Sequence, residues 1–117
     1  MLDAILQGLI DSVKGARAVI FLDGDGEAIA QAGDAQKDIK LLGAWKEIHL
    51  DSIKEIAGRL GLGTVQAVLF SHDQGNELKV PVANDYCLLL FLSSFADLKL
   101  ARAELARAIE LIKQDIA

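Results

Sequence analysis

The side chains that could do chemistry are few. Asp23-Gly24-Asp25-Gly26-Glu27 has the alternating acids that open a calcium loop. Such a loop needs oxygen ligands at positions 1, 3, 5 and 12, with glycine at 6. Counted from Asp23, position 6 is Ala28 and position 12 is Asp34, so the required glycine is missing. The segment is predicted to be a hairpin turn instead, because Asp and Gly tolerate positive φ. Gly24-x-Gly26 and Gly58-x-x-Gly61-x-Gly63 share spacing with phosphate loops. The dinucleotide fingerprint needs G-x-G-x-x-G between a strand and a helix. Ile29 stands where the third glycine of the first cluster belongs, and the second cluster follows a helix. Both read as turns and caps.

The two histidines, His49 and His72, are far apart in sequence. Ser71-His72-Asp73 are neighbours, but a catalytic triad needs convergence in space, which adjacency does not give. His72-Asp73 is predicted to be a polar turn. The residues three and four away from His49 are Trp45, Lys46, Ser52 and Ile53, which offer no second metal donor. His49 therefore reads as a hydrogen-bonded interface residue. Cys87 lies in an apolar run, where a thiol behaves as a small hydrophobe. No catalytic, cofactor-binding or metal-ligating residue is predicted, and the chain reads as no enzyme.

Gly punctuates the elements that hold these residues. Leu2, Ile5, Leu6, Leu9 and Val13 recur at helical spacing, so a first helix is predicted over Leu2 to Lys14. Residues 17–22 are apolar on both faces, as a central strand requires, and 27–32 return as a short edge strand. A second helix is predicted from Ile39 to Leu60, closed by Gly61-Leu62-Gly63. Strands follow at Thr64–Ser71, Glu77–Ala83 and Tyr86–Leu92, with tight turns at Asp73–Gly75 and Asn84-Asp85. Leu78, Val80 and Val82 alternate inward. Pro81 has no N–H and must sit at a strand end or on an unpaired side. A third helix is predicted from Phe95 to Ile116, opened by a capping-box-like Ser94 and Asp97. The order α-ββ-α-βββ-α favours an α+β fold, a mainly antiparallel sheet with helices on its faces.

Composition narrows the function classes. The chain has 117 residues, 52% hydrophobic and 25% charged, with one Pro and one Cys. That suits one domain spanning 1–117 and excludes intrinsic disorder. A single Cys gives no internal disulfide framework. The net charge of −5 argues against nucleic acid, whose binding depends on Lys and Arg. Asp3 stands where a signal peptide needs basic residues. The longest apolar run, Tyr86 to Leu92, is far short of the ~20 residues that span a bilayer. A cytoplasmic protein without membrane insertion is expected.

The helices differ in how much apolar surface they carry. The third has one stripe, Leu98, Ala101, Leu105, Ile109, Ile112 and Ile116, about 100° wide and sufficient for one packing face. Leu100 and Leu111 lie off it, placed to pack on the first helix. In the second, Ile48, Leu41, Trp45, Ile56, His49, Leu42, Leu60, Ile53, Ala57 and Leu50 cover roughly 200°, twice what one sheet can bury. One side is expected to pack on the sheet and the other to meet another chain. Trp45, the only Trp, is of a type enriched at binding hot spots.

Two stretches carry a family resemblance. Leu2-Asp3-Ala4-Ile5-Leu6 runs into Val19-Ile20-Phe21-Leu22-Asp23-Gly24-Asp25-Gly26, and Val82 through Leu92 precedes a long amphipathic helix. With the whole-chain element order, this resembles the Roadblock family (dynein light chain type) and is similar to bacterial small-GTPase regulators of polarity and gliding. The resemblance implies a Roadblock/profilin-like fold. Its five-stranded antiparallel sheet has helices on both faces, one long helix on one side and the terminal helices on the other. It implies a homodimer through the second helix and the strand after it, and binding of a small Ras-like GTPase without a nucleotide site or cofactor. The interface residues would be Leu41, Leu42, Trp45, Ile48, His49, Ser52, Ile53, Ile56, Arg59, Val65, Ala67 and Leu69. Arg59 is the only Arg on that helix, but the family carries no invariant arginine finger to transfer onto it. A small-molecule sensor or structural module without a GTPase partner is the alternative.

Overall fold

β1 (Ala16–Leu22) and β5 (Cys87–Leu92), the two stretches apolar on both faces, lie side by side at the centre of the sheet. The computed structural model describes residues 1–34, 51–73, 75–83 and 85–116. With β2 (Ala28–Gly33), β3 (Val68–His72) and β4 (Gly75–Pro81), the strands form one sheet in the order β2-β1-β5-β4-β3. Every pairing is antiparallel. Three helices complete the order α-ββ-α-βββ-α: α1 (Leu2–Ser12), α2 (described over 51–59) and α3 (Leu98–Ile116). Helices cover both faces of the five-stranded sheet, as expected.

Register sorts the central side chains. Val19 opposite Leu90 and Phe21 opposite Leu88 face α1 and α3. Ile20 opposite Leu89 and Leu22 opposite Cys87 face the other way. The first layer is the larger core. Leu6 and Leu9 of α1 and Ala101, Leu105, Ala108 and Ile112 of α3 are buried on it. Each buried Leu or Ile contributes about 1.5–3 kcal/mol.

Several boundaries move for local reasons. α1 stops at Ser12 because Val13 turns extended to bury its side chain, and Gly15 takes φ +93°. α3 begins at Leu98, later than Phe95. Asp97, not Ser94, is its cap: one carboxylate oxygen accepts the N–H groups of Lys99 (3.0 Å) and Leu100 (3.1 Å). The buried stripe of α3 runs through Ala108, while Leu98 and Ile116 of the expected stripe are exposed. A 19-residue helix is about 28 Å long. It overhangs strands of six or seven residues, which reach about 20–23 Å. Leu111 lines a groove against α1, while Leu100 stays exposed.

β3 is shorter than the predicted 64–71. Val68 pairs with Lys79, and the next outward-facing partner along β4 is Pro81, its last residue. Without an N–H there the ladder cannot extend back to 64–67. β4 instead starts early, at Gly75. Its φ of +145° and its approach to the Leu92 carbonyl oxygen leave no room for a Cβ.

The predicted turns are present. An Asp23 carboxylate oxygen accepts the N–H groups of Asp25 (2.9 Å) and Glu27 (3.0 Å), closing the β1–β2 hairpin. Gly61, at φ +68°, ends α2, with Leu62 N–H donating to the Ala57 carbonyl at 2.9 Å. This is the left-handed cap expected of the Gly cluster.

Candidate interaction surface

β3 is an edge. It pairs with β4 and with no other described strand. An open edge presents unpaired backbone donors and acceptors, a template for another chain. Leu69 on it is 47% exposed. The helix that precedes it is two-sided over its described residues. Ala57 is buried and Ile53 half-buried, while Ser52, Ile56 and Arg59, spaced four and three apart, are exposed. Ile56 is 54% exposed, and Leu60 and Leu62 extend the apolar strip past the helix end. Arg59 Nη2 lies 2.6 Å from Glu55 Oε1 in an exposed pair, an arrangement that contributes little to stability.

The predicted interface residues do not share one surface. Leu41, Leu42, Trp45, Ile48 and His49 lie outside the described residues. Ser52, Ile56 and Arg59 form the exposed side of α2, and Ile53 turns toward the protein. Val65 packs on the layer of Ile20, Leu22, Cys87 and Leu89. Ala67 and Leu69 belong to the opposite face, beside Leu78 and α3. The alternation of an extended chain splits the three.

Sequence reasoning missed two residues. Glu77 and Lys79 are buried, Lys79 completely. They lie opposite Phe70 and Val68, on the face away from α1 and α3. Alternation with Leu78 and Val80 made them look like a solvent-facing row. A sheet covered on both faces makes β4 internal, and that was the available signal. His72 corrects another expectation: it ends β3, and its Nε2 lies 2.6 Å from Glu77 Oε2, so it is tied across strands and not within a turn. Burial of charged side chains is costly unless they are paired, and this makes a polar corner in an apolar layer.

Cys87 is buried, as its apolar run implied. Among the described residues no cluster of three or more His, Cys, Asp or Glu is placed to hold a metal. No helix among them is long and apolar enough to cross a membrane.

The strand order, the helix placement and the open β3 edge define a class: the fold is that of Roadblock/LC7 domains. A Roadblock/LC7 domain from Streptomyces avermitilis matches with a TM-score of 0.90 at 18% identity, over 97% of this chain and 96% of that one. Myxococcus xanthus MglB matches with a TM-score of 0.90 at 17% identity, over 98% and 94%. The gliding protein MglB of Thermus thermophilus gives 0.84 at 17% identity, over 93% and 83%. In sequence, two uncharacterized proteins of Methanocaldococcus jannaschii, MJ1340 and MJ0310, are each 26% identical over 113 residues, 97% of both chains. The sequence matches no protein-family model. Identities this low establish a shared fold.

Proposed function

We propose that this protein is a non-catalytic homodimer that binds a small Ras-like GTPase and modulates its nucleotide cycle. It would act in the cytoplasm as a single domain spanning 1–117, without a cofactor. The observation that carries this reading is the agreement with MglB over 98% of the chain. The gliding function named for the Thermus relative points to the same regulatory setting.

The surface supports it physically. Pairing β3 with β3 of a second copy about a two-fold axis satisfies both open edges at once. The exposed Ile56, Leu60 and Leu62 then form an apolar strip beside the joint. The chain supplies binding surface and no chemistry. Arg59 is held by Glu55, so a finger thrust into the partner's site is not its role. Regulation follows if the surface fits one nucleotide state of the partner better, since differential affinity shifts the population.

The test is to mix the protein with a small GTPase encoded nearby, loaded with GDP or with a GTP analogue. A complex in one state only is expected. Absence of binding in both states, for every neighbouring GTPase, sinks the reading. A monomer by light scattering at micromolar concentration sinks the dimer.

A further inference from the structure

Two helices cannot roof five strands. Strands lie about 4.8 Å apart and packed helices about 8–10 Å apart, so α1 and α3 cover about four of them. α1 packs on β1 and β2, and α3 lies beside it on the same face. The fifth strand, β3, is left open. A groove of about 650 Å³ remains between α3 and the β3 edge, on the face away from α2.

Three features describe what fits it. Its floor is apolar, made by Ala67, Leu69 and Leu78. The flank of α3 that borders it carries Ala103 and Ala106, small enough for another helix to approach closely. Its remaining wall carries two exposed cations, Lys99 and Arg102, which form no ion pair with any described residue. Lys99 sits in the first turn of α3, where the helix dipole favours an acid and disfavours a cation. In a chain of net charge −5, two unpaired cations at that end of a helix are complementary to an acidic partner.

We infer that this groove docks an amphipathic helix of another protein, apolar on its inner side and acidic along the flank that meets Lys99 and Arg102. The site is separate from the α2 surface and does not depend on GTPase binding.

The probe is a synthetic helical peptide with Leu at i, i+3, i+4 and i+7 and Glu on both flanks. Its control is the twin with Lys at every Glu. Titration by NMR should show the Glu peptide shifting the amides of Ala67, Leu69, Ala103 and Ala106, with the Lys twin at least about tenfold weaker. The double variant Lys99→Glu, Arg102→Glu should reverse that preference. Its fold survives, because both positions are exposed and acids suit a helix N-terminus. Equal binding of the twins, no binding of either, or shifts confined to other surfaces overturns the inference. Loss of self-association in the double variant also overturns it, by assigning the groove to a second copy. The Ile56→Asp variant separates the two readings: it should lose the GTPase and keep the peptide.

Discussion

β2 and β3 are the two edges of one sheet, and they are finished differently. β2 is built from small residues. Ala30 and Ala32 pack into the main core, and α1 lies down against the strand. β3 carries Val68, Leu69 and Phe70, bulky strand formers, and no described helix lies over Leu69. Small side chains let a helix of the same chain cover an edge. Large ones at an uncovered edge leave surface for a different chain. The difference locates association at β3 before any partner is known.

Breaking the attachment of β3 is the harshest test of that contrast. Gly75→Ala forces a Cβ against the Leu92 carbonyl at a φ that L-residues rarely adopt. It should destabilise the fold by about 3 kcal/mol, read as a lower denaturant midpoint. Matched charges on the two edges come next. Leu69→Lys should weaken self-association at least about tenfold with an unchanged circular dichroism spectrum. Ile29→Lys on β2 should leave the oligomeric state alone, and equal effects in light scattering would erase the distinction between the edges. On the neighbouring helix, Ile56→Asp should cost about 1–2 kcal/mol of GTPase binding without loss of thermal stability, since the side chain is mostly in solvent. The smallest effect belongs to a site remote from both edges. Asp97→Ala removes two capping bonds of α3 and should cost about 1 kcal/mol of stability, seen as a lower Tm with association intact.

Much of the fold was legible locally. The doubly apolar runs at β1 and β5, the Asp23 turn and the Gly61 cap each follow from a few adjacent residues. Pro81 was placed at a strand end by its missing N–H, and it also shortens β3, a consequence that needed the β3–β4 register. The candidate surface was legible in part. Apolar spacing marked α2 as two-sided, and Ile56 and Arg59 lie on the exposed side while Ala57 is buried. Val65, Ala67 and Leu69 looked like one interface because they are close in sequence, but the chain there sends Val65 to one layer and the other two to the opposite one.

The sequence by itself determined which segments are helix or strand, where they turn, and that the chain is apolar beyond the needs of one core. These are consequences of propensity and periodicity within a few residues. Only the tertiary structure decided the order of the strands, and with it which edge stays open. It also buried Glu77 and Lys79 and set His72 against Glu77. The reason is that alternation fixes only that neighbouring side chains face opposite ways. Whether a face meets water or a helix depends on elements distant along the chain. The same limit applies to the groove beside α3, which exists because five strands are wider than two helices.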